Sequence, residues 1–135
     1  MSINKVTIYT DGAARGNPGP AAIGVVIKDE TGHIAATVSR RLGPTTNNQA
    51  EYRAIIAGLE KAISLGARQV TVKSDSELMV KQLNGLYKIK NAALRPLYQE
   101  AVKLIGSLES FSISHIPRAQ NAAADALANK ALDSL

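Results

Sequence analysis

At 135 residues the chain has the length of one domain. Its 45% hydrophobic and 20% charged residues suit a soluble globular fold and exclude a disordered tail. With no cysteine and only two histidines, disulfides, thiolate zinc sites, iron–sulfur clusters and cysteine nucleophiles are excluded, so any metal is held mainly by oxygen, as magnesium, manganese and calcium are.

The first strand is expected over residues 5–10 (Lys-Val-Thr-Ile-Tyr-Thr), stopping at Asp11-Gly12. A turn-rich loop, Arg15-Gly16-Asn17-Pro18-Gly19-Pro20, follows. Strands over 22–28 and 33–41, joined by the short turn Asp29–Gly32, complete an antiparallel meander. The period then changes: Tyr52, Ile55, Ile56, Leu59 and Ile63 recur at helical spacing, with Thr46 or Asn47 as the cap and Gly66 as the stop. A fourth strand over 69–74 leads into a helix opened by Asp75-Ser76-Glu77 and broken at Asn84-Gly85. Another helix is expected over 91–107, with Pro96 near its start, then a strand over 111–116 and a last helix from Gln120 onward. The order βββαβααβα implies an α/β fold, a five-stranded mixed sheet flanked by helices. A right-handed crossover makes the first and fourth strands neighbours. No apolar run approaches the ~20 residues of a membrane span, and the amino terminus has no secretory pattern. A single domain over 1–135, cytoplasmic, monomeric and with no membrane partner, is therefore expected.

Four acids stand out. Asp11 and Asp75 close two strands that should be parallel neighbours, placing them ~5 Å apart. Carboxylates that close raise each other's pKa unless a cation lies between them. Ligands bind at the carboxyl ends of such strands. Glu51 shares a helix face with Ile55 and Leu59, so it lies beside the stripe that should be buried, and an unpaired charge there costs several kcal/mol. Asp125 repeats the pattern beside Ala124, Leu127, Ala128 and Ala131. Three of them have a plain structural alternative: a turn for Asp11, a helix cap for Asp75, an ion pair with Arg53 or Arg15 for Glu51. Together they favour a carboxylate site for two magnesium ions, suited to in-line displacement at a phosphodiester. The glycine-rich stretch lacks the P-loop lysine and leads into a strand, and no serine sits in a nucleophile elbow. The net charge of +5 favours an anionic partner, and Lys81, Lys88, Lys90 and Arg95 occupy a stretch without acids between Glu77 and Glu100. That run is either a nucleic-acid contact or a solvated face.

Thr10-Asp11-Gly12 through Pro20, Thr46-Asn47-Asn48-Gln49-Ala50-Glu51, Ser74-Asp75-Ser76 and Asn121-Ala-Ala-Ala-Asp125 resemble, in order and spacing, the four motifs of type 1 ribonuclease H. The resemblance covers residues 3–132 and implies the ribonuclease H-like fold. It implies hydrolysis of the RNA strand of RNA–DNA hybrids, giving 5′-phosphate and 3′-hydroxyl ends, with Mg2+ as cofactor and Mn2+ as a substitute; double-stranded RNA is a further candidate substrate. It implies Asp11, Glu51, Asp75 and Asp125 as catalytic metal ligands. Asp11 and Asp75 would bridge both ions, Glu51 would serve the ion near the leaving oxygen, and Asp125 the ion that activates water. Asn17, Asn47 and Asn48 match positions that meet the minor groove, Thr46 a DNA-phosphate contact, and Asn121 a residue that helps set the last helix. The chain departs from the family in three places: Glu77 replaces a common glutamine, the basic helical protrusion is missing, and no loop histidine precedes the last helix. Arg118 is the candidate for that last role, while His115 is expected to be structural. A non-catalytic binding module of the same fold is the alternative function, but four acids facing a polyanion would serve it poorly. A transposase or resolvase core is disfavoured by the Asn47-Asn48 pair.

Overall fold

The computed structural model describes residues 3–134. Its strands are β1 (Lys5–Ala14), β2 (Gly19–Lys28), β3 (Ile34–Thr45), β4 (Gln69–Ser74) and β5 (Ser110–His115). Its helices are α1 (Asn47–Ser64), α2 (Glu77–Leu83), α3 (Arg95–Ile105) and α4 (Ala122–Asp133), with a 3-10 turn at Arg118–Asn121 ahead of α4. The sheet order is β3-β2-β1-β4-β5, with β1 antiparallel to β2 and parallel to β4. No helix among the described residues is long and apolar enough to cross a membrane.

Strand alternation builds the two outer layers. On β2, Val25 meets α1 at Gly58, while its neighbour Gly24 faces α4. The α1 side holds the main core: Val6, Ile8, Val25, Ile27, Val70, Val72 and Ile113 of the sheet pack on Tyr52, Ile55, Ile56 and Leu59 of α1 and on Leu97 and Ala101 of α3. On the α4 side Ala22 of β2 packs against Ala131 and Leu132. Chain reversal after α1 uses Gly66 at φ 96°, a conformation in which a Cβ would be strained.

Several boundaries differ from the sequence reading. β1 does not stop at Asp11-Gly12 but continues to Ala14, because residues 11–14 keep pairing with β2 after the parallel partner β4 has ended at Ser74. β2 begins at Gly19 and β3 runs to Thr45, so the hairpin extends beyond its apolar centre. α3 begins at Arg95 rather than at residue 91. The Asn91 Oδ1 accepts from the Ala93 N–H at 2.8 Å, closing a turn that competes with helix, and Pro96 fits the first helical turn, where its missing N–H is not needed. The last helix is split into the 3-10 turn and α4.

The closest seat in the outer layers is Gly24. A Cβ there would lie 2.0 Å from the Ala124 carbonyl oxygen and 2.7 Å from the Ala128 nitrogen, both backbone atoms. Gly24 is also the β2 residue paired with Asp11. Gly24→Ala is therefore expected to destabilise by about 1–3 kcal/mol, the cost of overpacking. Gly43→Ala, whose added Cβ meets nothing within 4 Å, should change stability by less than ~0.5 kcal/mol. Urea unfolding of both variants checks this.

Candidate metal and nucleic-acid site

The parallel register pairs Thr10 with Ser74, so Asp11 and Asp75 follow at adjacent strand ends. Glu51 reaches the same point from the second turn of α1. Carboxylate oxygens of Asp11, Glu51 and Asp75 all lie within 4.8 Å of one another. Glu51 and Asp11 are only 8% and 7% exposed. The Glu51 Oε1 accepts the Gly12 backbone N–H rather than pairing with an arginine; Arg15 instead reaches Asp133 at 2.5 Å. That bond needs α1 pressed against β1, and a Cβ on Gly12 would come within 2.2–2.4 Å of Ala50 and Glu51 backbone atoms. Gly12, read from sequence as part of a turn, is a contact residue inside a strand.

Asp75 is not a helix cap. Ser76 caps α2, its Oγ accepting from the Met79 N–H at 3.3 Å, so the Asp75 carboxylate is left for the cleft. Asp125, half-buried on α4, stands outside the group of three but lines the same cleft of about 380 Å³. Its oxygen lies 3.8 Å from Nη2 of Arg118, an exposed side chain on the 3-10 turn. Asn121, 1% exposed, donates to the Thr10 carbonyl at 2.8 Å, tying the start of α4 to the residue before Asp11.

Electrostatics follow from this crowding. Burial, then the charges of Asp75 and Asp125, push the Asp11 carboxyl up to about 7. Burial, then Asp11, push Glu51 well above the usual carboxylate range, with the Gly12 N–H offsetting part of the effect. Hard oxygen donors that repel one another in a half-buried cleft fit a divalent cation.

The rim carries the amides. Thr46 caps α1 in a capping box: its Oγ1 accepts from the Gln49 N–H at 3.2 Å, and Gln49 Oε1 accepts from the Thr46 N–H at 3.1 Å. The asparagines are thereby released from capping, a role the sequence reading left open to Asn47. The Asn47 Oδ1 accepts the Ala14 N–H at 2.8 Å, and the Asn47 backbone N–H donates to Asn17 Oδ1 at 3.1 Å. Asn47, Asn48 and Arg118 line the cleft with the acids. Among the other residues raised by the sequence, Glu77 pairs with Lys81 at 2.6 Å, and Lys81 also donates to Tyr87. His115, as expected within the strand, is the last residue of β5, and its side chain is exposed. Gly24 and Gly12 were missed as site residues because neither carries a chemical group; only their contacts matter.

The pH dependence has a definite sign. A carboxyl whose folded pKa is raised costs nothing below its unfolded value of 3.8, and progressively destabilises the fold as pH rises toward about 7. Without divalent cation, melting should therefore show a destabilising contribution growing from pH 4 to 7 that Asp11→Asn removes. Mg2+ should raise the melting temperature more at pH 7.5 than at pH 5.5, as scanning calorimetry would report.

Residues 9–131 match the family described as reverse transcriptase-like. The chain is 46% identical over 129 residues to the ribonuclease HI of Halobacterium salinarum, covering 96% of this chain and 65% of that protein. It is 43% identical to a bifunctional protein of Mycobacterium tuberculosis, covering 96% of this chain and 36% of that one. The chain thus spans about two thirds or less of the length of these curated relatives. Among solved structures it resembles LC11-RNase H1, isolated from compost and solved in complex with an RNA/DNA hybrid: TM-score 0.91, 44% identity, 95% of this chain and 96% of that chain.

Proposed function

We propose that this chain, which belongs to the type 1 ribonuclease H family, is a metal-dependent endonuclease hydrolysing the RNA strand of RNA–DNA hybrids and leaving 5′-phosphate and 3′-hydroxyl ends. The observation that carries this reading is the convergence of Asp11, Glu51 and Asp75, from three separate elements, to within 4.8 Å. A surface made only to bind a polyanion has no use for such a cluster.

In this reading Asp11, Glu51, Asp75 and Asp125 would hold two Mg2+ ions, with Mn2+ as a substitute. Bound there, the ions supply charge stabilisation for an in-line attack of water on the phosphodiester. The chain's own groups do the rest. The Gly12 N–H holds one oxygen of Glu51, fixing the carboxylate's direction. Asp11 and Asp75, on adjacent strands of one sheet, keep a rigid separation. Asn17, Asn47 and Asn48 would seat the minor groove, Thr46 would meet a DNA phosphate, and Arg118 at the mouth would draw in phosphates beside Asp125.

The direct test is a gel assay on a labelled hybrid with and without Mg2+. Asp75→Asn should abolish cleavage. Its metal-free melting temperature should hold or rise, since the substitution is nearly isosteric and relieves repulsion. A folded Asp75→Asn protein that still cleaved at the wild-type rate would remove the assignment.

A second test concerns the basic run. Lys81 is occupied by Glu77 and Tyr87, whereas Lys88 and Lys90 are exposed and form no ion pair among the described residues. Hybrid affinity should fall steeply with salt through counterion release. Replacing Lys88 and Lys90 by alanine should reduce the log–log slope by about one unit per lost contact. Fluorescence anisotropy across a salt series measures it, and an unchanged slope would make the run a solvated face.

A further inference from the structure

We propose that the open side of the sheet across β1, β4 and β5 binds an unpaired nucleic-acid strand, with Tyr9 as its stacking surface and Lys5, Lys28 and Lys73 as its phosphate contacts. The proposal stands on that face itself; it rests on the hybrid-cleaving reading above only in making the strand a single-stranded continuation of the hybrid. Strand alternation sets the face apart. Val6, Ile8, Val70, Val72 and Ile113 turn into the main core, so Thr7, Tyr9, Thr71, Lys73 and Ser112 turn the other way. α4 packs on that side over β2, β1 and β3, and Tyr9 lies at its border, beside Gln120 and Ala124. Past Tyr9 the face is open: Ser112 is exposed, and Thr71 and Lys73 are half-buried.

Parallel strands are as a rule covered on both sides. β1, β4 and β5 run parallel, yet the helices packed on β4 and β5, α1 and α2, lie on the core side. What stands on the other side selects the partner. Of the residues that the three strands turn outward there, none is acidic, Lys5 and Lys73 are basic, and Thr71, Ser112 and Ser114 offer hydroxyls. Lys28, paired with Thr7 from β2, is a third lysine. None of the three forms an ion pair among the described residues. Lys28 Nζ lies 5.2 Å from the centre of the Tyr9 ring, so the ring turns a π-face toward a lysine of this surface. Lys73 Nζ donates to Ser114 Oγ at 3.0 Å and keeps two further protons. An aromatic ring on an open sheet, flanked by ammonium groups, suits unpaired bases: the base stacks on the ring and its phosphates meet the cations. A duplex, whose bases are already stacked, has no use for the ring. The location fits as well. Asp11 stands two residues beyond Tyr9 on β1, on the same side and ~7 Å along, and Asp75 follows Lys73 by the same step, so the face runs up to the cleft.

The test is amide chemical-shift mapping at low salt, without divalent cation, on adding oligo(U) or oligo(dT) of ~10 nucleotides, within the usual site size for a single strand. Shifts should centre on residues 5–9, 71–73 and 112–114; either oligonucleotide producing them supports the proposal, and the tighter one identifies the strand. Tyr9→Ala should weaken binding at least about fivefold, the weight of one stacked base, while Tyr9→Phe, which keeps the ring, should bind as wild type. The Lys5→Ala/Lys73→Ala variant should lower the log–log salt slope by about 1.4, at ~0.7 per phosphate contact on a single strand. These lysines lie outside the core, so this arm decides the matter should Tyr9→Ala fail to fold. A hybrid with a single-stranded extension should bind wild type more tightly than the blunt hybrid, and the lysine variant should lose that gain while cleaving blunt hybrid at the wild-type rate. Shifts confined to the cleft rim or absent, a folded Tyr9→Ala that binds as wild type, an unchanged slope, or an extension that adds no affinity would overturn the proposal. A wild-type protein that cleaves no hybrid with Mg2+ or Mn2+ would instead overturn the hybrid-cleaving reading and leave the shift mapping standing.

Discussion

The structure is organised around an unfavourable interaction. Three carboxylates crowd into one half-buried cleft, and two of them are pushed well above their ordinary titration range. Burying a charge is costly, and burying several of one sign is more so. The fold withstands this because the rest of the molecule over-determines the site. A five-stranded sheet supplies two parallel strand ends, and α1 is held against β1 by the main core and by the Gly12 contact. That repulsion is what a divalent cation held between the carboxylates would relieve.

Rigidity is achieved with backbone rather than with ion pairs. Gly12 brings α1 close enough for its N–H to bind Glu51, and Gly24, opposite Asp11 in the ladder, brings α4 close enough to carry Asp125 into the cleft. Asn121 adds a side-chain tie from α4 to the carbonyl of Thr10. Each of the three contacts lies next to Asp11 in sequence or in the sheet, so β1 is the reference on which the other acids are positioned. The exposed Arg15–Asp133 ion pair lies at the periphery, where such pairs contribute little.

The rim is built on a similar economy of groups. Thr46 and Gln49 cap α1 between them, which frees both following asparagines from a local role. One of these is then recruited to pin the end of β1, and its amide acquires a fixed polarity; the other is left unconstrained. Two adjacent residues of identical chemistry thus present different faces to a ligand. The difference is set by a backbone N–H more than thirty residues away in the chain.

Much of this was legible from the sequence alone, for reasons that are local. Hydrophobic period separates strand from helix within a few residues, which is why α1 appears with its observed start and its glycine stop, and why the element order is correct throughout. The inventory of acids and the lack of cysteine restrict the donors to oxygen, and of the four acids that the motifs single out Asp11, Glu51 and Asp75 converge, with Asp125 lining the same cleft. Boundaries failed where a partner strand or a competing turn decided them, as at residues 11–14, which stay in strand by pairing with β2, and at residues 91–94. The sequence could not show that Glu51 is held by a main-chain N–H, that Gly24 seats α4, or which end of the Asn47 amide faces outward. Glycine carries no chemical signature and an amide no visible orientation in a string of letters; both acquire meaning only from atoms that distant segments bring within a few ångströms.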